Sequence, residues 1–212
     1  LAHEKYNQIS DEEWSQRKQK FIDILNDYKK NNKSDYDCII PVSGGKDSYY
    51  QTHIIVKELG LKPLLVTYHG NNYLPEADYN RDNMREVFDV DHIVFGPSTS
   101  VLKKLNRLCF EKMGDMNWHA HCGIFTYPFQ IAVKFQIPIL IWGETFWDIS
   151  GMFDSTDFPE FTRRMRLEHN LRGYDWHDMI DEKEDIKEKD LLWAKFPSDK
   201  EFLNLQIRGL AI

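Results

Sequence analysis

The stretch Ser43-Gly44-Gly45-Lys46-Asp47-Ser48 decides the fold of this chain of 212 residues. A run typical of a buried strand, residues 37–42, precedes it, and a helical pattern, residues 49–59, follows it. The two glycines let the backbone turn tightly and approach a ligand. The free N–H groups and the positive dipole end at the start of the helix favour an anion such as phosphate. We call residues 43–48 the glycine loop and predict that it binds phosphate.

The glycine loop differs from the Walker pattern, G-x-x-x-x-G-K-[ST], because it is shorter and an aspartate follows its lysine. At all six positions it resembles the PP-loop, S-G-G-x-D-S, of the ATP pyrophosphatase superfamily. That resemblance implies that Ser43, Gly44, Gly45, Lys46 and Ser48 cradle the β,γ-pyrophosphate of ATP, and that AMP passes to a substrate oxygen. The alternative is a tight strand-to-helix turn whose serines are there by chance.

Strand and helix patterns alternate along the chain. Strand patterns cover residues 37–42, 62–68, 91–95 and 138–142, and helical patterns cover 11–30, 47–59, 75–88, 99–113, 123–136 and 197–205. Since each strand is apolar on both faces, the fold class is α/β, a parallel sheet of about five strands with helices on both faces. Pro128 is expected in the first turn of its helix, and residues 181–190, a run of charges, are expected on a solvated helix face.

The carboxyl edge of this sheet is where we expect the ligand to bind. Three parts of the chain would meet there: the glycine loop, the end of the second strand at Thr67, Tyr68 and His69, and the end of the fourth strand at Glu144. We therefore count Thr67, Tyr68 and His69, together with Asp47, among the residues that hold the nucleotide. Residues 150–174 are expected to form a substrate loop or a mobile segment.

Composition limits the other possibilities. The chain is 42% hydrophobic, which suffices for a core, and no apolar run approaches the roughly 20 residues of a membrane span. Its three cysteines form no paired spacing, so a reduced, cytoplasmic location fits. The net charge of −7 argues against a nucleic-acid partner. We expect no membrane and no nucleic-acid partner, and the sequence leaves a homo-oligomer open.

A second polar cluster is Trp118-His119-Ala120-His121-Cys122-Gly123. Imidazole and thiolate are zinc ligands, so His119, His121 and Cys122 are candidates for a metal site with one open position. The alternatives are contact with a substrate, which we favour, and a role in the fold at a helix start. The run lacks the paired C-x-x-C spacing of common zinc sites.

Carboxylates and arginines supply the remaining candidates. Asp47 and Glu144 are predicted to hold Mg²⁺ on the ligand edge, although Asp47 also suits the positive end of its helix and Glu144 suits a cap or the surface. Residues 163, 164 and 166 are arginines that form either an anion clamp or an exposed helix face. The predicted catalytic set is Lys46, Asp47, His121 and Glu144.

Three segments together resemble the N-acetyl sugar amidotransferase family. They are residues 36–48, ending in the glycine loop, residues 118–125 and residues 138–144. The resemblance implies an adenine nucleotide alpha hydrolase-like fold and an AMP-forming reaction. ATP, with Mg²⁺, would adenylate the acetamido oxygen of an N-acetyl sugar, expected to be nucleotide-linked, and ammonia would then replace AMP to leave an acetamidino group. The family works in surface-polysaccharide biosynthesis, including lipopolysaccharide O-antigen.

The same resemblance has consequences for partners and domain organisation. The family receives ammonia from a separate glutaminase subunit, and none of the three cysteines here lies in a nucleophile elbow. Family members begin with a cysteine-rich segment, thought to bind zinc, ahead of a stretch like residues 1–6. We therefore interpret residues 1–212 as a single PP-loop domain without that segment and without the extreme C-terminus, so structural zinc is expected only in the missing part.

Two rival functions remain at the level of sequence. A tRNA-modifying PP-loop enzyme would be expected to carry paired cysteines or a basic surface, neither of which is evident in this sequence. A non-catalytic nucleotide-binding subunit of a glutaminase complex is the second rival, and the presence of Asp47 and Glu144 speaks against it.

Overall fold

A six-stranded sheet organises the part of the chain that the computed structural model describes, residues 9–31, 33–70, 73–143, 160–161 and 165–211. The strands are β1 (Cys38–Pro41), β2 (Pro63–Tyr68), β3 (Asp91–Phe95), β4 (Ile139–Trp142), β5 (Glu160–Phe161) and β6 (Arg208–Ala211). Their spatial order is β3-β2-β1-β4-β6-β5. All neighbouring pairs are parallel except β5 with β6, which is antiparallel. The predicted α/β class is confirmed.

Six α-helices accompany these strands in the described residues. They are α1 (Asp11–Asn31), α2 (Lys46–His53), α3 (Pro75–Phe88), α4 (Thr99–Met113), α5 (Trp118–Phe135) and α6 (Asp199–Leu205). A π-helical turn, Ile54–Glu58, extends α2. Capping boxes start α1, at Ser10 with Glu13, and α6, at Ser198 with Glu201. Each box satisfies N–H groups that the first turn leaves free.

Helices cover both faces of the sheet because the strands are apolar on both. On one face, Phe125 and Phe129 of α5 pack on alternate residues of β1, β2 and β4. On the other face, α1, α2 and α3 pack on the intervening residues through side chains such as Phe21, Ile55 and Met84. A third apolar cluster joins α4 and α5 to the 3₁₀ helices near residues 176–194. Strands β1, β2 and β4 are thus enclosed between helices, whereas β3, at one edge of the sheet, is only partly covered.

Helix α5 begins at Trp118 rather than at the predicted Gly123, so Pro128 lies inside it and not in its first turn. An interior proline removes the hydrogen bond to the carbonyl four residues earlier. The predicted start at Gly123 was therefore too late in the sequence. In the structure a Cβ on Gly123 would lie 2.2 Å from the Tyr68 ring, so this glycine serves close packing.

Residues 181–190 do not form the predicted helix. Asp181 and Ile186 close a tight turn by an isolated antiparallel bridge, and a 3₁₀ helix, Glu188–Ala194, follows. The charge run was misleading because Ile186 and Leu191 are buried and anchor the segment to α4 and α5. Acidic and basic side chains around them face water.

The sheet has one more strand than predicted. Strand β6 supplies a fifth strand after the four strand patterns of the sequence, and β5 adds a short antiparallel edge beside it. Phe161 of β5 stacks on Phe125 and Trp142, with ring centroids 5.3 and 5.7 Å away, and Glu160 pairs with Arg208 at 2.8 Å. Two residues are too few for a sequence pattern, which explains why β5 was missed.

None of the described helices is both long and apolar enough to cross a bilayer.

Truncating Phe129, the central aromatic side chain between α5 and the sheet, should strongly destabilise the fold. Phe129 is fully buried among Trp142, Phe161, Phe196 and Phe202. We expect Phe129→Ala to lower the free energy of unfolding by about 3–5 kcal/mol, since a cavity remains. Urea denaturation measures this loss.

The matched control is Phe110→Ala on α4, where the ring is 58% exposed. It should change stability by no more than about 0.5 kcal/mol. Similar losses for both variants would contradict the core described here.

Candidate functional site

The glycine loop connects the end of β1 to the start of α2, and its own serines brace it. The Ser43 N–H donates to Ser48 Oγ at 3.0 Å, the two hydroxyl oxygens lie 3.3 Å apart, and the Gly45 N–H donates to Ser43 Oγ at 3.3 Å. The first helical bond runs from the Tyr49 N–H to the Gly45 carbonyl. The N–H groups of the first turn of α2 therefore have no helical acceptor and point toward the loop.

Gly44 fixes how closely α3 approaches the loop. Its φ is +84°, a conformation that favours glycine, and a Cβ there would lie 2.7 Å from the backbone nitrogen of Arg81. Arg81 itself is buried, and its Nη1 lies 2.8 Å from Asp78 Oδ1. The loop thus rests directly on the backbone of α3, beside a buried cation.

A cavity of about 220 Å³ opens next to the loop at the carboxyl edge of the sheet. The walls come from the ends of β1, β2 and β4, from α2, from Tyr73 and from α5. The lining residues are Pro41, Val42, Ser43, Asp47, Ser48, Gln51, Val66, Tyr68, Tyr73, Ile124, Pro128, Trp142 and Gly143. Of the predicted site residues, the cavity brings together Ser43, Asp47, Ser48 and Tyr68. One wall is hydrogen-bonding and acidic, and the opposite wall is largely apolar.

Lys46 and Asp47 form an exposed ion pair, Nζ to Oδ1 at 2.7 Å. The Lys46 side chain is 88% exposed and is not part of the cavity wall, whereas Asp47 is. Such an exposed pair adds little stability and its lysine is free to rotate. A long, flexible, positively charged side chain beside an anion site is suited to binding phosphate. The catalytic and phosphate-binding roles predicted for Lys46 stay predictions.

Thr67 and His69 occupy different surroundings from Tyr68. The buried Thr67 hydroxyl lies 2.6 Å from the Val42 carbonyl, to which it donates, and 2.9 Å from His92 Nε2. It ties β2 to the segment that enters the loop. His69 Nε2 lies 3.0 Å from Asp78 Oδ1, and this hydrogen bond, helped by Arg81, lowers the pKa of Asp78. Neither Thr67 nor His69 lines the cavity.

Gln51 and Gly143 complete the wall between α2 and β4. The buried Gln51 amide donates to the Ile141 carbonyl at 3.0 Å, and a Cβ on Gly143 would lie 2.1 Å from Gln51 Oε1. Sequence reasoning missed Gln51, although the spacing of Asp47, Ser48 and Gln51 places all three on one helix face. Tyr73 was missed too, because it lies in a loop without a pattern.

The three residues of the second polar cluster lie in three environments. His119 is buried and its Nδ1 lies 3.2 Å from the Tyr68 hydroxyl; His121 is exposed; Cys122 is fully buried beside Thr126. Burial raises the pKa of Cys122 to about 11, which disfavours the thiolate that metals bind. None of the three lines the cavity, so their contact with a substrate stays a prediction.

Metal ligands are sparse in the described parts of the chain. No group of three or more histidine, cysteine, aspartate or glutamate side chains there is placed to hold an ion. The sequence predicted two Mg²⁺ ligands, Asp47 and Glu144. Asp47 lies in the described part of the chain, whereas Glu144 lies outside it.

Arg166 is not an anion clamp. Its side chain is fully buried, its Nε donates to Thr126 Oγ1 at 2.7 Å, and its Nη2 pairs with Asp175 at 3.0 Å. The guanidinium also lies over the ring of Phe196. It therefore fastens the segment after residue 165 to α5. Residues 163 and 164 lie outside the described residues.

Comparison with known proteins gives only distant similarity. No family model and no curated protein matches the chain. Among solved structures, an NMN synthetase from Francisella tularensis matches with a TM-score of 0.46 and 18% identity over 60% of this chain and 52% of that one. An NH3-dependent NAD synthetase from Campylobacter jejuni, in complex with the nitrate ion, gives 0.45 and 11% over 60% and 55%.

A predicted subunit of tRNA methyltransferase from Methanocaldococcus jannaschii gives a TM-score of 0.36 and 14% identity over 82% of this chain and 66% of that one. The chain spans about half the length of the two synthetases. Similarity at TM-scores of 0.46 and below does not indicate a ligand. The glycine loop and the cavity carry the functional inference.

Adding one methyl group to the loop tests its contact with α3. Gly44→Ala should destabilise the fold, because the left-handed backbone is strained and the Cβ meets the Arg81 backbone. Gly60→Ala is the matched control, since Gly60 has φ +61° and open space around it. We expect Gly44→Ala to cost about 1–3 kcal/mol more than the control in urea denaturation. Equal losses would contradict the close approach.

Two buried histidines should make stability fall in acid. Burial lowers the pKa of His119 and of His92 from 6.5 to about 4. Below pH 6.5 the unfolded chain binds protons that the folded chain refuses until about pH 4, so the free energy of unfolding falls as pH decreases through that window. Each unit of pKa difference is worth about 1.4 kcal/mol.

Urea midpoints measured between neutral pH and the acid end of that window check this slope. His119→Asn should flatten it, whereas His53→Asn, at an exposed position of α2, should leave it unchanged. A slope that survives in the double variant, His119→Asn with His92→Gln, would show that other groups cause it.

Proposed function

We propose that the chain is an ATP-dependent ligase of the PP-loop type, which cleaves ATP between the α- and β-phosphates. The observation that carries this proposal is the glycine loop itself. All six of its positions match the PP-loop pattern, and it lies between a central parallel strand and a helix N-terminus beside a cavity. Such a loop aims N–H groups and hydroxyls at a pyrophosphate, whose negative charge grows as it departs.

The chain's own residues divide the work. The first-turn N–H groups of α2 and the hydroxyls of Ser43 and Ser48 would bind the pyrophosphate. Gln51 and the end of β4 hold that wall in place, and Trp142 and Ile124 on the apolar side would exclude water from the reacting groups. Orienting the acceptor oxygen in line with the α-phosphorus removes part of the entropic barrier, up to about 7–11 kcal/mol in favourable cases.

Mg²⁺ fits the carboxylate that the structure places at the cavity. Asp47 lies in the wall and offers hard oxygen ligands, which suit Mg²⁺ when phosphate oxygens and water complete the coordination. Asp47 would hold the ion, with Glu144 as its predicted partner. The ion supplies charge neutralisation on the phosphates.

The acceptor that we propose is the acetamido oxygen of an N-acetyl sugar carried on a nucleotide. Attack of this oxygen on the α-phosphorus forms a C–O–P bond and releases pyrophosphate. Ammonia then adds to the same carbon, AMP leaves with the oxygen, and an acetamidino group remains. The N-acetyl sugar amidotransferase resemblance of residues 36–48, 118–125 and 138–144 supports this choice. Ammonia would come from a partner glutaminase.

Product analysis tests the proposal. The full-length chain is incubated with ATP, Mg²⁺, ammonium and a panel of nucleotide-linked N-acetyl sugars, and phosphorus NMR identifies the products. We expect AMP and pyrophosphate in equal amounts, together with an amidated sugar by mass spectrometry. Formation of ADP and orthophosphate would overturn the PP-loop assignment.

Loop variants sharpen the test. Ser48→Ala removes a hydroxyl that accepts a hydrogen bond from the Ser43 N–H and belongs to a residue of the cavity wall. The rate of pyrophosphate release should therefore fall at least about tenfold. Ser15→Ala, on the exposed face of α1, is the matched control and should leave the rate unchanged. ATP binding without any turnover would favour the non-catalytic nucleotide-binding subunit. Binding of tRNA that weakens as the salt concentration rises would favour the tRNA-modifying enzyme.

A further inference from the structure

Tyr68 has a polar end that the loop-centred reaction does not use. Its ring lies in the cavity wall, packed between Gly123 of α5 and the ring of Trp193, whose centroid is 5.0 Å away. Its hydroxyl lies 3.2 Å from Nδ1 of His119, and no other hydrogen-bond partner of this hydroxyl is found in the described residues. One hydroxyl can donate once and accept twice, so this contact alone leaves its direction open.

Asn106 decides that direction. One terminal atom of its side-chain amide lies near three acceptors, and we assign this atom as the nitrogen. In that orientation the nitrogen is 2.9 Å from the Met116 carbonyl, 3.1 Å from the Leu102 carbonyl and 3.1 Å from His119 Nε2. The reverse orientation would aim the amide oxygen at two carbonyl oxygens, so the nitrogen takes this side. The amide has two N–H groups for these three acceptors, so it does not need to donate to all of them. A hydrogen on Nε2 would nevertheless face this NH₂ group, which only donates, so we assign Nε2 as the nitrogen with the lone pair.

The tautomer of His119 follows from this contact. A neutral imidazole carries one proton, and with Nε2 as an acceptor that proton resides on Nδ1. The ring is neutral near physiological pH because burial lowers the pKa of His119 to about 4. His119 Nδ1–H therefore donates to the Tyr68 oxygen, and the hydrogen of the Tyr68 hydroxyl is left without an acceptor inside the described protein. Buried hydroxyls generally have a hydrogen-bond partner, and Tyr68 is one of the residues that line the cavity.

We propose that Asn106 and His119 fix the Tyr68 hydroxyl as a hydrogen-bond donor to a ligand oxygen in the cavity. Tyr68 is then a binding residue, and Asn106 and His119 are positioning residues that act through it. Since Tyr68 belongs to the part of the wall formed by β2 and α5 and not to the glycine loop, its partner belongs to the nucleoside monophosphate part of the ligand and not to the pyrophosphate. This inference rests on the proposed function for the identity of the ligand.

Binding measurements with two probes test the role of Tyr68. The first probe is α,β-methylene-ATP with Mg²⁺, which cannot be cleaved between the α- and β-phosphates, and the second is inorganic pyrophosphate. Tyr68→Phe removes only the hydroxyl. We expect its affinity for the ATP analogue to fall about tenfold, as for one lost hydrogen bond to an anionic group, and its affinity for pyrophosphate to stay unchanged. Equal affinity for the analogue, or equal weakening for both probes, would overturn the proposal.

Variants of the positioning residues separate orientation from packing. His119→Asn keeps a donor near the Nδ1 position and should retain most of the affinity, whereas His119→Leu lacks it and should resemble Tyr68→Phe. Asn106→Asp keeps the shape but offers oxygen to Nε2, which should move the proton to Nε2 and turn the Tyr68 hydrogen toward His119. Its affinity for the analogue should fall as in Tyr68→Phe, with pyrophosphate binding intact.

The tautomer itself is measurable by nitrogen NMR of the imidazole ring, with His119→Asn to assign the signal. We expect a protonated Nδ1 in the wild-type chain and a protonated Nε2 in Asn106→Asp. A protonated Nε2 in the wild-type chain would overturn the proposed hydrogen-bond direction, whatever the binding measurements show. If the wild type binds neither probe, the proposed function fails with the binding role of Tyr68, and the NMR result still decides the hydrogen-bond direction.

Discussion

The position of β1 in the middle of the sheet is the constraint on which the site depends. The chain builds β1, β2 and β3 outward in one direction and then returns to place β4 on the other side of β1. The loops that leave β1 and β4 therefore separate, and a crevice opens between them. The chain leaves β1 and β4 in opposite directions along the sheet. The cavity at this crevice is lined in part by the glycine loop, the Gln51 face of α2 and Gly143.

Three glycines allow neighbouring elements to pack closely around this crevice. Gly44 lets the loop rest on the Arg81 backbone, Gly143 leaves room for the Gln51 amide, and Gly123 lets α5 lie against the Tyr68 ring. In each case a side chain would occupy space that a neighbouring element already fills. The walls are therefore set by backbone packing, and the polar groups placed on them need little movement to meet a ligand.

Most of the fold was readable from sequence because its elements follow strong local rules. Helix α3 and strand β3 have their predicted bounds, and Pro75 at the first turn marks the start of the helix. The failures have tertiary causes. Pro128 is tolerated inside α5 by packing, and Ile186 turns a charge run into a buried turn. At the site, the motif found Ser43, Asp47 and Ser48, whereas Tyr73 and Asn106 take their places from contacts between distant segments.

Pro128 also changes what the cavity wall is made of. It has no N–H, so the carbonyl of Ile124, one turn earlier and in the same wall, lacks its usual helical donor. Ile124 and Pro128 both line the cavity, so this part of the wall includes a helix turn whose carbonyl acceptor has lost its usual donor. Because the main chain supplies it, exchanging the residue at 124 for another apolar one leaves the acceptor in place, whereas exchanging the proline would erase it without altering a single polar side chain.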